Sequence, residues 1–314
     1  ISDVLLKNKH LIDQHKVLII DELYDGFGHT WRLNFKNQTK ICFIHNANKW
    51  FYSKPARGLK ANIKNYLKNK YIEQFDSYVV MAPNVVEYMQ SVGVDKPVFV
   101  LPFDQGSVDD DTSDKDNSIV ITIPGMIAQN RRDYLGLIRV LNLYYKKHTN
   151  SRIRICLLGR IVGEHAKQLK EAIDCINEEF GTRVKYWVDF IPDDEFEQQL
   201  AKSHLFLSNL KVITSSDISN EIYGITKETG IAYAIAKYAK PAIVPYLHQV
   251  LFGLDSQLIK YLDYESLMSV FEDLDLGKTD LTTLKANAIS NREYVNGKLD
   301  ELKVQLSGYL LEHL

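Results

Sequence analysis

A chain of 314 residues with a formal net charge of −2, 45% hydrophobic and 25% charged, is long enough for two domains with cores of their own. That charge balance excludes a protein whose whole surface is built for nucleic acid, and no nucleic-acid partner is expected. No apolar run approaches the length of a membrane-spanning helix and no signal peptide opens the sequence, so a soluble, cytoplasmic protein is expected. Ile1 rather than Met at the first position is compatible with a chain that begins inside a longer protein. Cys42, Cys156 and Cys175 have no paired spacing. Cys42 and Cys156 sit in apolar runs, which predicts buried free thiols in a reducing compartment and no cysteine-built metal cluster.

Strand-like runs in the first third fall at 16–21, 40–45, 77–82 and 97–102. The second ends Phe43-Ile44-His45-Asn46-Ala47-Asn48. A histidine at the carboxyl edge of a parallel sheet is placed to act as a general base or to hydrogen-bond a ligand. The alternative is a His satisfied by Asn46 or Asn48 in a turn. His29, after the previous strand, is a second candidate. Residues 48–72 then hold seven Lys/Arg and no acid. On a helix opening near Leu59, Lys60, Lys64 and Lys68 recur at four-residue spacing, with Arg57 one turn earlier and Trp50, Phe51, Tyr52 and Tyr66 among them. Such a helix suits an anionic membrane surface or a lipid-diphosphate acceptor, although a solvated face is the commoner fate of a charge run.

Residues 104–117 carry six aspartates and no large hydrophobe, and read as a linker. A second series of strands follows at 118–125, 153–159, 184–190, 204–210 and 242–245. The first ends at Gly125, which permits a tight turn, with Arg131 and Arg132 soon after. These cations suit diphosphate oxygens, or are solvated or paired with Asp133. Tyr134, Leu137, Ile138 and Leu141 then mark a buried helix face. The next strand ends Leu158-Gly159-Arg160, and the third Val188-Asp189-Phe190-Ile191-Pro192 before an acid-rich helix start.

In residues 224–245, GITKETGIAYAIAKYAKPAIVP, a polar turn opens a helix with Ile231, Ala234, Ile235 and Tyr238 on one face. Thr226 reads as its N-cap, and Gly230 leaves the backbone of the first turn open to approach. Backbone N–H groups at the helix start, with Lys227 beside them, make this a candidate diphosphate grip, or an ordinary turn–helix–strand connection. A long helical pattern over 291–314 closes the chain. Alternation of strands and helices predicts α/β architecture, with two Rossmann-like domains on either side of the linker. The first domain, with four strands, is short for a doubly wound sheet.

The order of these strand ends resembles the C-terminal domain of GT-B glycosyltransferases of the family-4-like kind: IPGMIAQNRRDY, ICLLGR, VDFIPDDEFEQQLAKSHLFLSNL, then GITKETGIAYAIAKYAKPAIVP, with 259–274 as the closing helix region. The resemblance covers 118 to about 274. It implies a first domain at 1–103, a linker at 104–117, a nucleotide-sugar domain at 118–290 facing the first across a cleft, and a helix at 291–314 crossing back to the first domain. It places the donor base near Phe190 and Ile191. Its diphosphate would lie near Gly125, Arg131, Arg132, Arg160, Lys227, Thr229 and Gly230, with Glu228 as a further ligand and His45 as the base. Lys60, Lys64, Lys68 and Arg57 would meet the acceptor or membrane. Two departures stand out: Met126 replaces the family's basic residue, and Ala234 stands where many members carry a ribose-binding Glu. Glu221 and Glu228 have six residues between them, not seven.

The resemblance implies transfer of a sugar from a nucleotide-diphosphate donor to a glycan or lipid-linked acceptor, in cell-surface polysaccharide assembly, peripheral on the inner face of the membrane. No cofactor and no metal are expected, since no Asp-x-Asp stands at a strand end. The alternatives are a catalytically silent GT-B scaffold that binds a nucleotide-sugar or a partner enzyme, and a nucleotide-sugar epimerase.

Overall fold

The computed structural model describes residues 10, 13–21, 38–52, 58–101, 103, 117–215, 219–250 and 253–314. His29, Arg57 and the linker 104–117, Asn117 excepted, lie outside the described residues. In chain order the elements are β1 (Val17–Asp21), β2 (Thr39–Ile44), α1 (Ala47–Phe51), α2 (Leu59–Ile72), β3 (Ser77–Val80), α3 (Pro83–Ser91), β4 (Val98–Val100), β5 (Ile119–Pro124) and α4 (Tyr134–Lys147). There follow β6 (Ile153–Arg160), α5 (Ala166–Phe180), β7 (Val184–Trp187), α6 (Asp193–Ala201), β8 (Leu205–Leu207), β9 (Ile213–Ser215) and β10 (Asn220–Ile222). The last are α7 (Gly230–Tyr238), β11 (Ala242–Pro245), β12 (Leu258–Tyr261), α8 (Tyr264–Asp275) and α9 (Leu281–Glu312).

The chain divides into two compact units. One gathers Ile1–Phe103, Ile213–Glu228 and Gly297–Leu314, and the other Asp104–Val212 and Thr229–Asn296. In the first, β1 to β4 lie side by side in sequence order, all parallel. Parallel strands are covered on both faces, which is why β3 is buried at every position and β2 buries Ile41, Cys42 and Ile44 together. Trp50 on α1, Tyr71 on α2 and Phe75 form an aromatic cluster beside them, with ring centroids 5.4 and 5.1 Å apart. The end of α9 returns to this sheet: Tyr309 packs on Phe99 of β4 at 4.7 Å, and the Lys16 ammonium donates to the Leu314 carbonyl.

The second unit is a six-stranded parallel sheet in the order β12-β11-β8-β5-β6-β7. Its helices bury the apolar stripes that the sequence marks: Tyr134, Leu137, Ile138 and Leu141 of α4, and Ile231, Ile235 and Tyr238 of α7, are all in the core. Cys42 and Cys156 are buried free thiols, and Cys175 is an exposed one. Among the described residues, no helix is long and apolar enough to cross a membrane.

The structure departs from the sequence reading at several points. Residues 259–274 are not one helical region: β12 fills the start, and α8 begins only after Asp263, whose carboxylate caps the Ser266 N–H. The final helix starts at Leu281, ten residues before 291, with Asp280 accepting the Thr282 and Thr283 N–H groups. Strands β7 and β8 end sooner than 190 and 210, because the residues beyond them turn into loops. The short strands β9 and β10 form an antiparallel hairpin that the sequence did not announce. Thr229, not Thr226, is the N-cap residue of α7; Thr226 points its hydroxyl at Glu221 instead.

Candidate functional site

Each unit carries a set of the predicted residues, and the first is built on adjacent strand ends. Asp21 closes β1 opposite Phe43 of β2, so His45, two residues further on, emerges at the same carboxyl edge. His45 Nε2 lies 2.8 Å from Asp21 Oδ1, and the Phe43 ring sits 4.3 Å from the imidazole, tilted by 55°. The asparagines that follow bond elsewhere. Asn46 Oδ1 accepts from Lys227 Nζ at 2.8 Å, while Asn48 donates to the Asn220 carbonyl at 2.6 Å and accepts from the Tyr88 hydroxyl. Lys227 therefore reaches the residue that follows His45 in the chain. Lys227 also lies over the Tyr223 ring at 5.0 Å, a cation–π geometry.

Glu221 is buried beneath this edge. Its carboxylate accepts from the Lys49 N–H at 2.9 Å, Ser219 Oγ at 3.0 Å and Thr226 Oγ1 at 2.6 Å. Burial pushes its pKa up, and those hydrogen bonds oppose the shift. Sequence reading noted Glu221 only for its spacing to Glu228, since nothing in the pattern marks a carboxylate that will be enclosed by residues so far away. Glu228, half-buried, belongs to the same unit.

On the second sheet, the strand order reverses between β5 and β8, and the crevice beyond such a switch point is where open α/β sheets bind ligands. Gly125, just past β5, has φ +98°, a backbone state that favours glycine. The Arg132 guanidinium holds this turn, with Nη1 donating to the Pro124 carbonyl at 2.8 Å and to the Tyr134 hydroxyl at 3.1 Å. Arg131 is exposed, and its carbonyl accepts from the Lys211 N–H at 3.1 Å. Asp133 caps α4 through the Gly136 N–H and accepts from the Tyr264 hydroxyl. Arg160 ends β6 in an exposed position.

Beyond β7, Val188 and Phe190 are among the more exposed large apolar residues, whereas Ile191 is buried. Thr229 caps the start of α7 with extended backbone, and a Cβ on Gly230 would meet nothing within 4 Å. One residue of this sheet edge escaped the sequence reading. Asn209, just past β8, is buried, and neither polar atom of its amide has a hydrogen-bond partner; its carbonyl accepts from the Asp133 N–H. Asparagine after a short strand is too common a turn residue to have been singled out.

The basic stripe of α2 divides. Lys60 and Lys64 are exposed, next to exposed Leu59, Ile63 and Tyr66. Lys68 is turned inward and donates to the Lys49 carbonyl at 3.1 Å; burial, with the nearby Lys49 charge, lowers its pKa to about 8. It therefore does not share the exposed face that four-residue spacing gives it in sequence. Among the described residues, no group of three His, Cys, Asp or Glu side chains is arranged to hold a metal ion.

No protein-family model matches the chain, and no curated protein matches its sequence. Solved structures do match its fold. A sucrose-phosphate synthase from Thermosynechococcus elongatus superposes with a TM-score of 0.68 at 12% identity, over 98% of this chain and 76% of that one. An E. coli structure described as trehalose-6-phosphate bound with UDP-2-fluoro glucose gives 0.64 at 11% identity, over 98% and 76%. The Glycosylation Associate Protein (Gap123) complex from Streptococcus agalactiae gives 0.60 at 14% identity, over 99% of this chain and 58% of that one. The fold is that of the GT-B glycosyltransferases.

Proposed function

We propose that this chain is a glycosyltransferase that moves a sugar from a nucleotide-diphosphate donor to a glycan or lipid-linked acceptor. The observation that carries the reading is the His45–Asp21 pair at the carboxyl edge of the first sheet of a GT-B fold. An imidazole so placed takes the proton of an acceptor hydroxyl. On the second unit, the exposed Phe190 ring and buried Ile191 suit a nucleoside base, and Arg131, Arg160 and the start of α7 at Thr229-Gly230 suit a diphosphate. Arg132 serves the same site by holding the Gly125 turn. Lys227 and Glu228, which belong to the first unit, are further candidate donor ligands. Stabilisation of the leaving diphosphate by cations and backbone N–H groups is the main catalytic contribution, without a metal.

The acceptor side rests on α2, where Lys60 and Lys64 flank exposed Leu59, Ile63 and Tyr66. This combination suits a lipid-linked acceptor held at an anionic membrane surface, in cell-surface polysaccharide assembly. Arg57 joins it by sequence position. The deciding experiment is a thermal-shift panel of UDP, GDP, CDP and their sugars, followed by measurement of nucleotide release. Stabilisation by one nucleotide family and slow donor hydrolysis that disappears in His45→Ala support the reading; hydrolysis that survives His45→Ala rejects the role of His45.

A second reading is a catalytically silent GT-B scaffold. Ala234 in place of the family's ribose-binding Glu favours it, and so does the likeness to a protein complex associated with glycosylation. Nucleotide binding without turnover under any acceptor would select this reading.

A further inference from the structure

Asn209 follows β8, which pairs with β5 on the side opposite β6, so it stands where the strand order of the second sheet reverses. Two backbone bonds fix it there. The Asp133 N–H donates to the Asn209 carbonyl at 3.1 Å, and the Lys211 N–H donates to the Arg131 carbonyl at 3.1 Å. Between them, Leu210 and Arg132 form an antiparallel bridge. Asn209 is therefore held in register with the turn that carries both arginines. It is 3% exposed, yet among the described residues neither its amide nitrogen nor its amide oxygen has a hydrogen-bond partner. Such a group is costly to leave unpaired, and buried amides are nearly always satisfied.

We propose that Asn209 is a specificity-determining residue of the donor site, and that its amide binds two neighbouring hydroxyl groups of the donor. The inference rests on the donor reading of this sheet edge and is independent of His45. Whichever way round it lies, an amide presents one acceptor oxygen and one donor nitrogen. Diphosphate oxygens only accept, and would leave the amide oxygen unpaired. Adjacent hydroxyls satisfy both atoms, one donating to Oδ1 and the other accepting from Nδ2. Such pairs occur on the ribose and on the transferred sugar. Strand order favours the sugar. The base is assigned beyond β7, three strands from β8 and about 14 Å away at the usual spacing. Strand β5, whose end carries the arginine turn, lies between them, so Asn209 adjoins the far side of the diphosphate from the base. The substrate class is then a neutral sugar with adjacent free hydroxyls. Burial keeps water from substituting for either hydroxyl, which is what makes a missing one costly.

The test uses the full chain and titration calorimetry with UDP, GDP and CDP, their 2′-deoxy analogues and their glucose conjugates. For the nucleotide that wild type binds, Asn209→Ala is expected to weaken the glucose conjugate about tenfold or more and leave the diphosphate unchanged. A loss that extends to the diphosphate but not to its 2′-deoxy analogue assigns the hydroxyl pair to the ribose. Equal affinities in wild type and variant overturn the inference. The thermal midpoint without ligand separates a role in the fold. It is expected to stay or rise in Asn209→Ala, since the amide has no partner to lose. A fall with undiminished affinities shows that the amide serves packing, and overturns the inference as well. Wild type that binds none of these nucleotides overturns the donor reading itself, and is seen before any Asn209 variant is made.

Discussion

The backbone N–H of Lys49 donates to Glu221 Oε1 at 2.9 Å, although 172 residues separate them in the chain. With the Ala47 N–H on the Thr226 carbonyl at 2.9 Å and Asn84 on the Gly224 carbonyl at 3.0 Å, this bond fastens the hairpin segment 213–228 to α1 and α3. The segment leaves β8 of the second sheet and returns to α7, yet its contacts belong to the first unit. Burial raises the Glu221 pKa, so the folded state holds this proton more tightly than the unfolded chain does. Stability from this group is full below the ordinary carboxylate pKa of 4.5 and is lost as pH rises through the raised folded value. Glu221→Gln is therefore expected to flatten the pH dependence of urea unfolding above pH 4.5. An unchanged slope would exclude Glu221 as its source.

Gly159 on β6 lies against the turn at Gly125: a Cβ at 159 would come within 2.1 Å of the Gly125 carbonyl oxygen. Backbone in a sheet cannot yield that distance. Gly159→Ala is expected to lose about 1–3 kcal/mol of stability and to weaken nucleotide binding, since it pushes on the Gly125 turn at the end of β5. Wild-type stability in urea would show that the two strand ends are not held this closely.

Ala239 terminates α7 at φ 47° and ψ 48°, the left-handed state that a glycine takes without strain. Left-handed backbone costs a side-chain-bearing residue about 1–2 kcal/mol, partly offset by the greater unfolded-state freedom of glycine. Ala239→Gly is expected to raise stability by about 0.5–1 kcal/mol, read as a higher thermal midpoint. A lower midpoint would contradict the backbone assignment.

Lys68 and its neighbours on α2 should behave as two classes. Its folded pKa of about 8 lies below the 10.5 of an unfolded lysine, so the unfolded chain binds more protons between those values and stability rises with pH across that window. Lys68→Met is expected to remove the rise and leave liposome binding intact. Lys60→Glu with Lys64→Glu should instead release the protein from anionic liposomes at low salt without moving the stability curve. Wild-type protein that never binds such liposomes would end the membrane proposal.

Much of the fold was legible because buried apolar periodicity is a local property. The run at 40–45 overlaps β2, those at 77–82 and 118–125 contain β3 and β5, and the α4 stripe is buried as its spacing requires. Strand β12 was not, since LIKY is short and runs straight into a strong helix pattern. The site was legible in part: His45 and Gly125 stand at strand ends, as their positions predict, whereas Asp21 closes a strand whose following residues gave no motif.

The amino-acid sequence by itself determined the alternation of strands and helices, the glycine-bearing turns and the apolar faces, because each depends on neighbours within a few residues. Only the tertiary structure decided the pairings across long stretches of chain. Asp21 reaches His45 because parallel strands align their ends, and Glu221 is enclosed because the segment that carries it meets Lys49 of α1, 172 residues away in the chain. It also decided which lysines of α2 face water, since four-residue spacing names a stripe but not what packs against each end of it. Sequence patterns report burial by period; partners far along the chain are set by strand order and docking, which no local pattern encodes.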